Sequence, residues 1–201
     1  MVTVTECTTL GKGRLRFHLD NGTELVLYRG EAKQFRMREG STLSDEEEHQ
    51  LIYEVVGKRA KRRTMHLLEQ MDRTEQQLRE KLKQGGYPQA CIDLALEYVK
   101  SFHYVDDYRY ACTYINYRQD RMSRYQLKVK LYGKGVSGEL IDRALEECYE
   151  GDEQEQIIHL LEKKKFDAQN SDQKEFTRVY QYLMRRGFRS NDVLHAMKSK
   201  Q

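Results

Sequence analysis

The sequence predicts a mainly α-helical protein, built from tandem three-helix bundles in an elongated array with a small N-terminal β-hairpin module in front. Three observations predict this fold class. The 201 residues include one proline, so little interrupts helices. Hydrophobic residues make up 38% and charged residues 33%, which is too polar for one large core but suits several small ones. A pattern of seven residues recurs three times along the chain.

Residues 1–43 are predicted to form the β-hairpin module. Residues 14–19 and 23–28 alternate between apolar and polar, and Asn21-Gly22 between them predicts a type I′ turn, in which both residues need a positive φ. Residues 2–5 are a candidate third strand. An isolated hairpin is marginal in water, so we expect the module to pack on the helix that follows. That helix is predicted to begin at Ser44, the first residue of a capping box.

The repeated pattern predicts two helices joined by a glycine turn. Two aliphatic residues four positions apart define one apolar helix face, the glycine fits the left-handed residue after a helix end, and a small alanine lets the next helix approach closely. The copies are separated by 49 and 52 residues, and they read Leu78, Leu82, Gly86, Tyr87, Ile92, Ala95 and Leu96, then Leu127, Leu131, Gly135, Val136, Ile141, Ala144 and Leu145, then Val179, Leu183, Gly187, Phe188, Val193, Ala196 and Met197. We therefore predict helical repeat 1 over residues 44–104, repeat 2 over 105–150 and repeat 3 over 151–201.

Motifs inside these repeats point to a known family. They are Asp106-Asp107-x2-Tyr110-Ala111, Leu127-x3-Leu131-x2-Lys134-Gly135-Val136 and Arg185-Arg186-Gly187-Phe188. In this order they resemble the RecX family of recombination regulators, and the hairpin module resembles the N-terminal extension of its longer members. The likeness spans nearly the whole chain.

The resemblance implies a function. Members are cytoplasmic proteins that bind the filament of the RecA recombinase and inhibit its ATPase, strand exchange and growth, in DNA recombination, DNA repair and the SOS response. They lie along the groove of the RecA–DNA filament or block its extension. A curved rod of three-helix bundles suits that task, and weak DNA binding is compatible with it.

Clustered basic residues are the candidate partner-binding site. The main set is Arg118, Arg121, Arg124, Lys128, Lys130 and Lys134 in repeat 2 with Arg185, Arg186 and Arg189 in repeat 3, and a secondary basic patch is Lys58, Arg59, Lys61, Arg62 and Arg63. Arg121, Arg124 and Lys128 are spaced to share one helical face. Because Asp120 is the one acid within residues 118–134, these charges repel unless a partner covers them. The alternative is a solvated face balanced by neighbouring helix residues.

A second function remains open at this point. Helix–turn–helix units of this kind also occur in proteins that act directly on duplex or single-stranded DNA. Glu139 and Asp142, near the start of the third helix of repeat 2, would meet phosphates unfavourably. Tyr110, Tyr114 and Tyr117 could stack on bases, but their helical spacing favours the core of a bundle.

Other functions find no support in the sequence. Cys7, Cys91, Cys112 and Cys148 lack zinc spacing and are expected to be reduced, packed thiols. Asp106-Asp107 is expected to begin a helix rather than to hold a metal. We find no phosphate-loop or nucleophile motif, no apolar run long enough for a membrane span and no secretory signal. The sequence thus predicts a non-enzymatic, cytoplasmic monomer that uses no cofactor or metal.

Overall fold

The computed structural model describes residues 1–199 as two compact units, which meet in the sequence between Asp106 and Asp107. Residues 200 and 201, the end of the predicted repeat 3, lie outside the described residues. The predicted fold class is confirmed, since three-helix bundles follow a small N-terminal sheet. Within the described residues, no helix is both long enough and apolar enough to cross a membrane.

The N-terminal module is a four-stranded antiparallel sheet rather than a hairpin. Its strands lie in the order β3-β2-β1-β4, with bounds β1 Val2–Gly11, β2 Arg14–Leu19, β3 Glu24–Tyr28 and β4 Thr42–Leu43. The candidate third strand is confirmed as the first part of β1, which is ten residues long. The short β4 was not predicted, because its pairing with Val2 and Thr3 joins positions about forty residues apart in the sequence.

The turn between β2 and β3 differs from the predicted type I′ turn. Gly22 has a φ of +82°, but Asn21 is not among the residues with positive φ. The Asn21 side chain instead accepts a hydrogen bond from the Thr23 backbone N–H at 3.0 Å. The hydrogen bond between the Asn21 side chain and the backbone stabilises a longer loop, and this loop forms in place of the tight two-residue turn.

Unit 1 continues with helices that share one hydrophobic core with the sheet, as the marginal stability of a lone hairpin predicted. They are α1 Arg29–Gln34, α2 Asp45–His49, a π-helical segment Gln50–Gly57, α3 Lys58–Gln70, α4 Glu75–Gln84 and α5 Gln89–Ser101. The π-helical segment was not predicted. A Cβ on Gly57 would lie 2.8 Å from Leu94 Cδ2, so the absence of a side chain there allows α5 to pack closely.

Unit 2 contains the other two bundles, each with its own core. Its helices are α6 Asp107–Arg118, a 3-10 turn Gln119–Arg121, α7 Arg124–Tyr132, α8 Gly138–Cys148, α9 Glu153–Lys163, α10 Gln173–Met184 and α11 Ser190–Ser199. The predicted turn glycines Gly86, Gly135 and Gly187 have φ values of +76°, +85° and +81°. The predicted helical period and the three glycine turns are therefore confirmed.

The cysteines differ in part from the expectation of reduced thiols. Cys112 of α6 and Cys148 of α8 form a disulfide, with 5.7 Å between their Cα atoms. The expectation was wrong for this pair because folding brings together residues that are 36 positions apart. Cys91 is a buried, packed thiol as expected, and burial raises its pKa to about 12, so it stays protonated and unreactive.

Candidate partner-binding surfaces

Helix α7 of repeat 2 lies in the middle of the predicted basic block. Its N-terminus is capped by Ser123, whose Oγ accepts a hydrogen bond from the Gln126 backbone N–H at 3.1 Å. Leu127 and Leu131 are fully buried and attach the helix to the core of repeat 2. The cap and the two buried leucines therefore fix the position of this short helix, and its outer face is exposed to solvent.

The outer face of α7 carries an apolar stripe. Tyr125 is 67% exposed, Val129 44% and Tyr132 71%, and their spacing of i, i+4 and i+7 aligns them along the helix. The repeat pattern assigned only Leu127 and Leu131 to an apolar face, so the stripe was missed. The signal was present, since this nine-residue helix carries two apolar sets out of phase with each other. Contiguous exposed apolar side chains of this kind mark interaction surfaces.

The basic residues of repeat 2 do not all share the predicted face. Arg121 belongs to the 3-10 turn, and Met122, with φ −138° and ψ 139°, is extended and separates it from α7. The predicted common face of Arg121, Arg124 and Lys128 is therefore wrong. The cap at Ser123 stops the helix from extending towards Arg121.

Acidic residues from other helices approach the basic block. The Lys128 ammonium forms an ion pair with Asp142 of α8. The Arg124 guanidinium lies 5.9 Å from the centre of the Tyr149 ring, and its backbone N–H donates to Glu153 of α9 at 2.8 Å. Burial raises the pKa of Tyr149, so this ring faces Arg124 as a neutral group. Acids from outside residues 118–134 therefore lie against part of this block, which favours the alternative of a balanced face for Lys128 and Arg124.

The other cations of repeat 2 are placed differently. Arg118 and Lys134 lie 6.0 Å and 5.3 Å from the centre of the Tyr114 ring, whereas Arg121 and Lys130 are exposed. Tyr110 and Tyr114 pack against the repeat 2 core, as their spacing predicted. Tyr117, the third member of the series, is wrongly assigned to the core because it is 83% exposed.

The glycine turn of repeat 3 packs on the start of α7. The Arg186 carbonyl accepts a hydrogen bond from the Ser123 N–H at 3.2 Å, and the Arg186 guanidinium lies 3.7 Å from the centre of the Tyr182 ring. A Cβ on Gly187 would lie 2.8 Å from Ser123 Oγ, so contact and positive φ both require glycine. The exposed Arg185 ends α10 on the same turn.

This packing brings predicted residues of two repeats together. Arg124, Lys128 and Arg189 line one groove of about 470 Å³, together with Tyr125 of the apolar stripe. The groove also contains carboxylates of α8 and α9, so it is mixed in charge rather than uniformly basic. The structure thus groups three of the nine main candidates beside the apolar stripe.

The secondary basic patch of unit 1 divides into buried and open residues. Arg59 is partly buried; its guanidinium pairs with Glu31 and donates to the Val26 carbonyl. Lys58 pairs with Glu54 at 2.6 Å, and Lys61 lies 5.1 Å from the centre of the Tyr98 ring. Arg62 and Arg63 are exposed. Arg59 is therefore already engaged within unit 1, whereas Arg62 and Arg63 face solvent.

Comparisons with known proteins agree with this architecture. Three family models match, described as the first, second and third three-helix domains of RecX, over residues 60–98, 106–145 and 151–197. The regulatory protein RecX of Trichlorobacter lovleyi is 36% identical over 132 residues, covering 63% of this chain and 86% of that protein. The regulatory protein RecX of Clostridioides difficile is 22% identical over 203 residues, covering 100% of this chain and 95% of that protein.

A solved structure shares the fold. The crystal structure of a regulatory protein RecX superposes with a TM-score of 0.62 at 22% identity, over 99% of this chain and 100% of that one. The three matched domains together span more than half of the chain and coincide with its three helical bundles. The chain therefore belongs to the RecX family of regulatory proteins.

Proposed function

We propose that this chain is a cytoplasmic regulator that binds the RecA filament and inhibits its ATPase, strand exchange and growth, with α7 as a docking surface. The observation that carries the proposal is the exposed stripe of Tyr125, Val129 and Tyr132 on a helix that also bears Arg124, Lys128 and Lys130. Membership of a family of regulatory proteins supports a role in binding rather than catalysis.

The apolar and basic side chains on the outer face of α7 are complementary to a protein surface that is partly apolar and partly acidic. Burying two tyrosine rings and a valine supplies apolar contact area, and tyrosine is enriched at the energetic centres of protein interfaces. The cations beside the stripe would accelerate the encounter with an acidic partner and fix its orientation. We expect Lys130 and Arg121, both exposed, to contribute most of this steering, with Arg185 as support from repeat 3.

Direct sequence-specific DNA binding receives less support. A helix-turn-helix reader would insert α8 or α11 into a groove, and the first turns of these helices carry Glu139 and Asp192. Carboxylates at that place would meet the phosphate backbone unfavourably. The apolar stripe on α7 also has no role in this alternative.

The test is the ATPase of RecA on single-stranded DNA, with the chain added before or after filament assembly. We expect a slower rate in both orders if the chain binds along the filament, and mainly in the first order if it blocks growth. An unchanged rate at several-fold molar excess in both orders would overturn the proposal.

Variants locate the surface. Tyr125→Ser combined with Val129→Ser should weaken inhibition at least about tenfold, because it removes most of the stripe without touching the buried leucines. Ile158→Ser on α9 is the matched control, since Ile158 is also an exposed apolar residue in unit 2. Equal inhibition by both variants would exclude α7 as the docking surface.

Charge reversal gives a second, independent measurement. Arg121→Glu combined with Lys130→Glu should slow association and weaken its dependence on salt, whereas dissociation should change less. We avoid Lys128 in this test, because a carboxylate there would face Asp142 and alter the fold locally. Salt-independent inhibition by the unaltered chain would argue against the electrostatic part of the proposal.

A further inference from the structure

Unit 1 has a second exposed surface, formed by three aromatic rings in contact. Tyr98 is 37% exposed, Phe102 54% and Tyr104 47%. The ring centres of Tyr98 and Phe102 are 5.0 Å apart, and those of Phe102 and Tyr104 are 5.7 Å apart with planes within 18° of parallel. We refer to these three residues as the aromatic ladder.

Local backbone geometry builds the ladder. Tyr98 and Phe102 are four residues apart at the end of α5, so they lie on one side of the helix. His103 then takes a left-handed conformation, with φ +54°, and the Tyr104 N–H donates back to the Val99 carbonyl at 3.0 Å. This helix-ending turn places Tyr104 beside Phe102, although only one residue separates them.

The exposure of Tyr104 is not imposed by this kind of turn. At the ends of α7, α9 and α10, the residue that follows the left-handed one is buried: Val136, Phe166 and Phe188. The left-handed position in those turns is Gly135, Lys165 and Gly187. At the end of α5 His103 occupies this position, and the aromatic residue after it is 47% exposed, whereas the ring that follows Lys165 in the same conformation is buried.

Cations lie directly beside the ladder. Lys61 Nζ is 5.1 Å from the centre of the Tyr98 ring. Lys58, Lys61 and Arg62 of α3 line, with Tyr98, a shallow groove of about 440 Å³ whose lining includes one acid, Glu69. The positions i, i+3 and i+4 put the three cations on one side of α3. The cations of this groove therefore border the ladder at Tyr98, and Lys58 also pairs with Glu54.

We propose that the ladder and this basic groove bind single-stranded nucleic acid, with bases stacked on the rings and phosphates held by α3. Stacking platforms of this composition accept any base, because every base has an aromatic face, and they require unpaired bases. The cations select an anionic ligand, and a row of flat rings without a deep pocket suits bases better than the side chains of a protein. This inference goes beyond the proposed RecA binding and does not depend on it.

The chain offers a direct reporter for this site. It contains no tryptophan, so Phe102→Trp introduces a single tryptophan into the ladder. We expect an oligothymidylate of about 16 nucleotides to quench its emission by stacking. Tyr117→Trp, at an exposed position in unit 2, is the matched control and should not be quenched. The absence of quenching at the ladder under conditions where the oligonucleotide binds would overturn the proposal.

Affinities complete the test. By fluorescence anisotropy with the labelled oligothymidylate, Phe102→Ala and Tyr104→Ala should each weaken binding about tenfold, and Tyr117→Ala should not. Lys61→Glu with Arg62→Glu should weaken binding and flatten its dependence on salt between about 50 and 200 mM. Far-UV circular dichroism verifies that each variant is folded.

The outcomes separate the possibilities. A duplex of the same length should bind more weakly and be insensitive to the ladder variants, because paired bases cannot stack on the rings. Undiminished oligonucleotide affinity in the ladder variants, or no binding at the lower salt, would refute the proposal and leave the ladder as a protein-binding surface. The assay contains no RecA, so its failure is distinguishable from failure of the proposed function.

Discussion

Replacing Arg59 by alanine should destabilise unit 1, although the sequence places this residue within a basic patch. Its guanidinium pairs with Glu31 and donates to the carbonyl of Val26. It also lies 5.1 Å from the centre of the Tyr28 ring and 5.5 Å from that of Tyr87. These partners belong to β3, α1 and the turn between α4 and α5, so Arg59 joins the sheet to the first helical bundle.

The structure sets the size of the effect. The Arg59 and Glu31 side chains are 21% and 20% exposed, so solvent screens the pair only partly. A hydrogen bond to a charged group contributes about 1.5–3 kcal/mol, and each cation–π contact about 0.5–1 kcal/mol. Because the contacts share one side chain, they are not additive. We expect Arg59→Ala to lower the free energy of unfolding by about 2–4 kcal/mol.

Urea unfolding followed by far-UV circular dichroism is the assay. Arg62→Ala is the matched control, since Arg62 is exposed on the same helix, and it should change stability by less than about 0.5 kcal/mol. Arg59→Lys should lower the stability less than Arg59→Ala but still measurably. The lysine ammonium lacks the planar guanidinium group, which can reach two acceptors and lie over aromatic rings at the same time. Equal stability of Arg59→Ala and Arg62→Ala would refute the reasoning.

Three further predictions concern stability. Gly187→Ala should cost about 1–3 kcal/mol because of its positive φ and its contact with the start of α7, whereas Gly138→Ala, at an open helix position, should be neutral or stabilising in thermal melts. Reducing the disulfide between Cys112 and Cys148 should lower the stability of unit 2 by about 2–4 kcal/mol; a melt unchanged by dithiothreitol would contradict this. A hydrogen bond from Lys100 of α5 lowers the pKa of Glu75 in the folded protein. The stabilisation by Glu75 is therefore complete above the pKa of the unfolded chain and is lost as the pH falls through the lowered pKa of the folded protein. Glu75→Gln should reduce the difference in unfolding free energy between neutral and acidic pH.

The features of the fold that depend on local chemistry could be predicted from the sequence. The capping box at Ser44 is complete, and the turn glycines are left-handed as their positions required. Strand β4 could not be predicted, because it pairs with residues about forty positions away, and the π-helical segment packs on a residue of α5 that is also distant in the sequence. The turn at Asn21 was mispredicted because its own side chain stabilises another loop.

The binding surfaces were less predictable for a related reason. Charge clusters are visible in the sequence, but the acids that oppose them come from other helices: Asp142 lies 14 residues from Lys128, and Glu31 lies 28 residues from Arg59. Local charge counts therefore overestimated how much positive charge is free. The apolar stripe on α7 was not predicted, because the repeat pattern describes only the buried face of the helix and contains no information about a second, exposed apolar face.

Helix geometry separates the basic residues of α3 into one set that stabilises unit 1 and a second set that is available for binding. Arg59 and Arg63 are four residues apart and share one side of the helix, whereas Lys58, Lys61 and Arg62 share the other. The first side faces the sheet through Arg59, and the second borders the aromatic ladder. The two sides should therefore respond independently. Arg59→Ala should lower stability while the folded protein keeps its oligonucleotide affinity, and charge reversal at Lys61 and Arg62 should lower affinity at unchanged stability. If both changes altered both quantities alike, α3 would act as one undivided basic surface.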